Sequence, residues 1–400
     1  MSYLSSRLSV VKPSASMAVS QAARAMRAKG VDVLDLSLGE PDFPTPAHIV
    51  EAAYEAAKRG QTLYTASTGT PEVREAVAGK FRRENGLDVT ADDVLVANGA
   101  KQIIFNALMA TLEDGDEAIL PAPYWVSYPE MVRLLGGEPV VVPCPETSGF
   151  RLTAEALQRA ITPRTKWLFL NMPGNPTGAA YSEADLKALG AVLAKHPQVL
   201  VLSDEIYEHI IFDGRTFVSF AKACPELKDR TLIVNGVSKS YAMTGWRVGY
   251  AAGPSPLVKA MATVQSQSVT SVCSIAQAAT VAALNGPQDD VPRFRQAYEA
   301  RRNLVVDGIR KINGLTLAPP EGAFYGYIGC ANLVGRKAPD GSVLADDTAV
   351  ATYLLRQGRV AAVPGAAFGL SPYFRISTAT SDAALTEAVA RINLAVAEVE

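Results

Sequence analysis

A chain of 400 residues is too long for one ordinary hydrophobic core, so two domains are expected. With 38 Lys and Arg against 40 Asp and Glu, the net charge of −2 excludes general attraction to nucleic acid or an anionic membrane, and any anionic ligand must be met by a local group of cations. A composition of 48% hydrophobic and 20% charged residues is that of a soluble globular protein, and no apolar run approaches the roughly 20 residues of a membrane span.

The start, MSYLSSRLSVVKPSAS, carries no continuous apolar stretch of the kind found in a leader. Cys144, Cys224, Cys273 and Cys330 are far apart with no C-x-x-C, and they read as small buried hydrophobes of a cytoplasmic enzyme. His48, His196 and His209 have no neighbouring ligand at helical spacing, so neither a metal site nor a histidine-based triad is expected.

Residues 17–29 show helical spacing of Met17, Ala22, Ala23 and Met26, closed by Gly30. A strand over 31–38 then runs into Gly39-Glu40-Pro41-Asp42-Phe43-Pro44, which breaks helix and strand alike. A tight turn is reason enough for Gly39 taken alone. From 48 to 290, strand-like runs at 94–97, 117–120, 139–142, 167–170, 199–202, 232–234 and 246–251 alternate with amphipathic stretches such as 183–194. That alternation predicts an α/β fold, a largely parallel sheet covered on both faces, with ligands beyond the carboxyl ends of its strands. No G-x-G-x-x-G and no P-loop string is present, which argues against dinucleotide and nucleoside triphosphate binding. A charged helix over 293–312 and a final helix over 382–399 follow. The reading is a large domain, 48–290, and a smaller one built jointly by 1–47 and 291–400.

Several strand ends carry residues suited to chemistry. After 94–97 comes Asn98-Gly99-Ala100-Lys101-Gln102 and a helical run over 103–112. Free N–H groups and the macrodipole of such a helix start make a phosphate cradle, and Gly99 lets the backbone come close. The strand 199–202 delivers Ser203-Asp204-Glu205-Ile206-Tyr207 at its carboxyl end; a solvated acidic pair is the plain alternative. Asn175 lies in Asn171-Met172-Pro173-Gly174-Asn175-Pro176-Thr177-Gly178, compositionally a turn. Trp125 follows the strand 117–120 and would serve equally as a core tryptophan.

The densest stretch is VNGVSKSYAMTGWRVGY, residues 234–250. A lone lysine at a strand mouth is ordinarily a solvated charge. Lys239, however, lies among Val237, Tyr241, Ala242 and Met243, which would desolvate its ammonium, lower its pKa and suit it to attack a carbonyl. Arg247, in Gly-Trp-Arg-Val-Gly, reads as a fixed cation on a stiff strand, matched to bidentate phosphate binding. A nucleophilic lysine with a phosphate clamp suggests pyridoxal phosphate. Arg375, in Phe374-Arg375-Ile376-Ser377, is flanked by apolar residues and cannot stay buried without an anion, a structural salt bridge being the alternative.

The pattern S-K-x-x-x-x-x-G-W-R-x-G from Ser238 to Gly249 resembles the lysine signature of the class I, fold-type I aminotransferases, the aspartate aminotransferase-like family. N-P-T-G at Asn175, D-E-I-Y at Asp204 and R-I-S at Arg375 occur in the family's order, so the resemblance spans nearly the whole chain. It implies pyridoxal 5'-phosphate held by Lys239, with Asp204 on the pyridine nitrogen, Tyr207 and Asn175 on the phenolic oxygen, and Trp125 stacked on the ring. It implies Gly99, Ala100, Lys101, Ser238 and Arg247 around the phosphate, and Tyr64 reaching the phosphate of a neighbouring subunit, hence a homodimer with shared active sites. Gly39 would offer a backbone group to the substrate, and Arg375 would grip the α-carboxylate. Many relatives carry a serine where this chain has Gly236; Ser238 or a backbone N–H would take over its phosphate contact.

The G-A-K-Q string further resembles the prokaryotic-type aspartate aminotransferases, including members that accept prephenate, in which this lysine meets the distal carboxylate. A helix start disfavours a cation, so a lysine kept there points to a ligand anion. Ser16 stands where those members often carry threonine. The implied activity is ping-pong transfer of the amino group of aspartate to 2-oxoglutarate, with prephenate as a further substrate. An aromatic or other aminotransferase, or a pyridoxal phosphate-dependent lyase, would use much the same cofactor residues.

Overall fold

The structure, a computed structural model, describes residues 3–400. Its strands in chain order are β1 (Leu34–Asp35), β2 (Val94–Ala97), β3 (Glu117–Ala122), β4 (Glu138–Pro143), β5 (Thr165–Asn171), β6 (Leu200–Asp204), β7 (Thr231–Gly236), β8 (Gly249–Ala252), β9 (Tyr325–Gly329), β10 (Val360–Ala361), β11 (Val363–Pro364) and β12 (Tyr373–Ser377). Seven of them form one sheet in the order β2-β8-β7-β6-β5-β3-β4. Every neighbouring pair is parallel except those made by β8, which runs antiparallel to both β2 and β7. The α/β expectation of a mostly parallel sheet holds, with this single reversed strand as the departure.

The reversal has a consequence for function. Because β8 opposes both of its neighbours, β2 points the same way as β7, so the carboxyl ends of β2, β3, β5, β6 and β7 all open on one edge. The chain enters β8 at that same edge, which brings Arg247 there too. β2, β7 and β8 are buried along their whole length, as expected of strands covered on both faces. Helices start where the sequence supplies caps. Ser182 accepts from the Asp185 amide in a full capping box at the start of Glu183–Leu193, and Ser381 caps Asp382–Ala397.

Toward the C-terminus, β11-β12-β9 form an antiparallel sheet, and β10 pairs in parallel with β1 from the N-terminal segment. Leu36 shares a buried cluster with Val305, Ile328, Val360, Phe374 and Ile392. Phe43 stacks on Phe294 at 4.3 Å, fixing the Gly/Pro-rich segment against the helix Asp290–Ile309.

Two strand expectations need correction. The strand expected over 31–38 forms only at Leu34–Asp35, because its partner β10 is itself two residues long. The strand expected over 246–251 begins only at Gly249: Trp246 closes a 3-10 turn, Thr244–Trp246, and Arg247 sits in the left-handed region at φ 57°. Among the cysteines, Cys144, Cys224 and Cys330 are buried, whereas Cys273 is exposed, at the entry to the helix Ser274–Asn285 where no core covers it.

Candidate active site

A cleft of about 530 Å³ opens at the carboxyl edge of the sheet. Of the residues singled out from sequence, Ser16, Gly39, Ala100, Lys101, Trp125, Asn175, Asp204, Tyr207, Ser238, Lys239, Arg247 and Arg375 line it. Gly99 lies just behind the lining as the N-cap of the helix Ala100–Met109. Tyr64 is elsewhere: 90% exposed, it borders a separate depression with Leu63, Thr65 and Ser274.

Asp204 ends β6 and is 4% exposed. Its Oδ2 accepts from the Tyr128 hydroxyl at 2.6 Å, and its Oδ1 from the Ile206 amide at 3.3 Å. Burial pushes the carboxyl up to about 6, while Tyr128, Ile206 and the Lys239 charge pull the other way. Burial and the neighbouring Asp204 push the Tyr128 phenol well above its ordinary value, so it stays a donor. Tyr128 was missed from sequence. The signal was its place one helical turn beyond Trp125, against which it packs edge-on at 5.3 Å.

Lys239 follows β7 and is only partly exposed. Its Nζ donates to the Gly39 carbonyl at 2.6 Å and lies 5.9 Å from the Tyr207 ring and 5.8 Å from that of Phe324. Desolvation brings the amine down to about 8, Glu40 opposing it and Arg375 and Arg247 adding to it. The Tyr207 and Tyr325 hydroxyls are 2.7 Å apart, and a Cβ on Gly39 would collide with Tyr325, which explains glycine at that turn.

The cradle depends on close backbone approach. Gly99 has φ 85°, and a Cβ there would meet Arg247 Nη2 at 2.6 Å. A Cβ on Gly249 would collide with the Ala100 amide, so β8 passes directly beneath the helix start. The first N–H groups of that helix have no intrahelical partner and face an anion by default. Arg247 is exposed and is held by its turn, Nη1 donating to the Thr244 carbonyl at 2.9 Å, rather than by a strand. Ser238 is 7% exposed beside it. At Gly236 a Cβ would lie 3.0 Å from the Val248 carbonyl and 3.1 Å from Gly249 Cα, leaving little room for any side chain.

At the other wall Arg375 is 3% exposed and has no acidic partner among the described residues. Its Nη1 donates to Asn175 Oδ1 at 2.8 Å, Nη2 donates to the Ser37 carbonyl, and Nε is buried without a partner. Its ring neighbours are Tyr325 at 4.6 Å and Phe368 at 5.0 Å, and burial lowers its pKa. The salt-bridge alternative is therefore absent among the described residues, and the guanidinium lacks an anion. Lys101 projects into the cleft mouth 4.9 Å from the Trp125 ring, its pKa lowered by desolvation and by Arg247.

These features fit pyridoxal phosphate: a glycine-capped helix start beside the exposed Arg247 guanidinium for the phosphate, a buried carboxyl for a ring nitrogen, and a desolvated amine between them. Arg375 adds a buried guanidinium nitrogen with no hydrogen-bond partner among the described residues.

Comparison with known proteins gives the same picture. A family model described as aminotransferase class I and II matches residues 31–392. An aspartate aminotransferase of Rhizobium meliloti is 54% identical over 98% of this chain and 95% of its own length. An aspartate/prephenate aminotransferase of Cereibacter sphaeroides is 54% identical over 98% of both. The crystal structure of the aspartate aminotransferase from Rhizobium meliloti superposes with a TM-score of 0.97 at 52% identity over 100% of both chains. The Thermus thermophilus aspartate aminotransferase with maleate gives 0.91 at 45% identity, covering 99% of this chain and 100% of the other.

Proposed function

Because the chain belongs to the class I and II aminotransferases, which are pyridoxal phosphate-dependent, we propose that it transfers the amino group of aspartate to 2-oxoglutarate, forming oxaloacetate and glutamate. The observation that carries this reading is a pair of cations without anions among the described residues, Arg375 deep in the wall of one cleft and Lys101 at its mouth. A dicarboxylic amino acid supplies one carboxylate to each.

Pyridoxal phosphate, when bound, supplies an electron sink for the substrate's α-carbon. In our reading Lys239 would hold it covalently through Nζ, and the same amine, when free, would accept at Nζ the proton leaving the substrate's α-carbon, a task suited to an amine whose pKa lies near 8. Asp204 keeps a proton on the ring nitrogen. Tyr207 and Asn175 address the phenolic oxygen, and Trp125 covers one ring face. The N–H groups of Ala100 and Lys101, with Ser238 and Arg247, hold the phosphate. Arg375 orients the α-carboxylate by a bidentate fork.

We further assign residues 48–290 to a cofactor domain and 1–47 with 291–400 to a second one. The enzyme acts as a cytoplasmic homodimer in this reading, with Tyr64 serving the partner's phosphate site. Mixing Tyr64→Phe with Lys239→Ala subunits and recovering one intact site per mixed dimer would test the sharing. No helix of the described residues is long and apolar enough to cross a membrane. The direct test of the activity is the half-reaction absorbance change with a panel of amino acids. Aspartate and glutamate should react fastest; faster reaction of alanine or phenylalanine would replace this assignment. Prephenate, whose two carboxylates Arg375 and Lys101 would meet in the same way with Ser16 beside them, belongs among the acceptors tried.

A further inference from the structure

Behind the cleft lies a buried ionic network that the reaction as described does not use. Lys80, at the end of the helix Pro71–Lys80, is fully buried and pairs with Glu208, which is 5% exposed. A single π-helical turn, Phe81–Asn85, brings Asn85 and Glu84 back onto the same spot. Glu208 Oε2 accepts from Asn85 Nδ2 at 2.7 Å, and Oε1 accepts from Lys80 and, at 2.7 Å, from Asn235 Nδ2. Lys80 also donates to Asn85 Oδ1 at 2.6 Å. From Glu84 the chain of contacts continues to His209 Nε2 at 2.8 Å, and from His209 Nδ1 to Ser240 Oγ at 3.1 Å.

Its end points are informative. Asn235 and Gly236 close β7, the Asn235 side chain also accepting from the Gly236 amide at 2.7 Å, and Ser240 directly follows Lys239. Glu208 and His209 belong, with Tyr207, to the turn that follows Asp204 at the end of β6. Two polar links, Glu208 to Asn235 and His209 to Ser240, therefore tie the turn bearing Asp204 and Tyr207 to both flanks of the turn bearing Lys239. None of Lys80, Asn85, Glu208 or His209 lines the cleft.

Glu84, Glu208 and His209 present ligand atoms within 4.8 Å of one another, a grouping that helical spacing around His209 gave no sign of. The Lys80 ammonium already supplies the cation there, so a metal is not needed to account for it. Net stability is a weak reason for such a network, since well-packed apolar residues often replace a buried ion pair without loss. What hydrogen bonds add is direction, fixing angles that apolar contacts leave free.

We propose that Glu208, with Lys80 and His209, is a positioning residue that sets the Lys239 turn relative to Asp204 and Tyr207. The inference rests on Lys239 being the cofactor's anchor. The test uses holoenzyme carrying Lys80→Met with Glu208→Leu, which removes both charges and the hydrogen bond to Asn235 together, and separately Ser240→Ala and His209→Gln at the milder end. For each, the pH titration of the bound cofactor's visible absorption band is measured beside the aspartate half-reaction rate constant and the KM. The double variant should shift the midpoint of the band and slow the half-reaction about tenfold, with KM within about twofold, the signature of a misplaced reacting group. Ser240→Ala and His209→Gln should move both readouts in the same direction by about threefold in rate. Folded variants that keep the wild-type midpoint and rate would overturn the proposal. If the double variant does not fold, the two single variants decide alone. Lys239→Ala is the control: loss of the covalent band upholds the anchor, whereas a wild-type band and turnover would end the anchor reading and the network's role with it.

Discussion

The Tyr128 hydroxyl donates to Asp204 Oδ2 at 2.6 Å, a fully buried contact between the helix after β3 and the tip of β6. In the role proposed for it, Asp204 would have to be ionised to keep a ring nitrogen protonated, yet burial raises its pKa to about 6 and the Tyr128 bond is one of the few forces lowering it. In Tyr128→Phe the carboxyl pKa rises further. Affinity of the apoenzyme for pyridoxal phosphate, which falls as pH drops through the carboxyl's pKa, should then begin to fall at higher pH. Absorbance titrations between about pH 5.5 and 9 should show the variant weaker near neutrality and converging on wild type at the alkaline end. The loss should be about tenfold for every pH unit by which the carboxyl's titration moves. Parallel curves at all pH values would remove Tyr128 from this role.

Lys239 gives a pH dependence of its own. Its neutral amine is the reactive form, and desolvation places the pKa at about 8 rather than at the ordinary lysine value. Covalent capture of the cofactor by apoenzyme, read by borohydride reduction and mass spectrometry, should accelerate with pH and level off above about pH 8, where the amine is neutral. Lys239→Ala should bind the cofactor without covalent capture and lose turnover by about a thousandfold or more.

Arg375 is a buried cation whose partners among the described residues are neutral oxygens. Replacing it by methionine removes the uncompensated charge while keeping much of the volume. The melting temperature should hold or rise, whereas kcat/KM for aspartate should fall by about two to three orders of magnitude, the scale for truncating one side of a buried charge pair. A variant with a much lower melting temperature whose folded form keeps the wild-type kcat/KM for aspartate would make Arg375 a structural residue.

Lys101 is exposed and makes no ion pair among the described residues, so its contribution is smaller than that of Arg375. Lys101→Ala should lower kcat/KM for aspartate and glutamate by about tenfold and leave alanine within about twofold. Equal losses on both classes would move Lys101 to the phosphate alone.

The apolar runs and the acids, amides and lysine at their ends were legible because a buried parallel strand must be hydrophobic and must stop where it becomes polar. β2 came out residue for residue, Asp204 was visible as an acid at a strand's carboxyl end, and Lys239 and Arg375 as charged groups among apolar neighbours. What sequence did not disclose were the pairings. Tyr128 meets Asp204 from 76 residues away, Tyr325 meets Tyr207 from 118 and Lys80 meets Glu208 from 128, and no local pattern encodes such distances. The misjudged strand at 246–251 has a local cause: its apolar spacing is right, but Arg247 adopts a left-handed turn that spacing alone does not reveal.

The parallel pairing of Leu34 with Val360 and of Asp35 with Ala361 also bears on how the enzyme is made. During synthesis the N-terminal segment leaves the ribosome long before its partner strand is translated, and Ser37, whose carbonyl seats the Arg375 guanidinium, waits 338 residues for that side chain. Until then β1 is an unpaired edge and Leu36 an uncovered apolar group, so a nascent chain must be kept from pairing with its neighbours on the polysome. The contact between Ser37 and Arg375 can therefore form only once nearly the whole chain has been made.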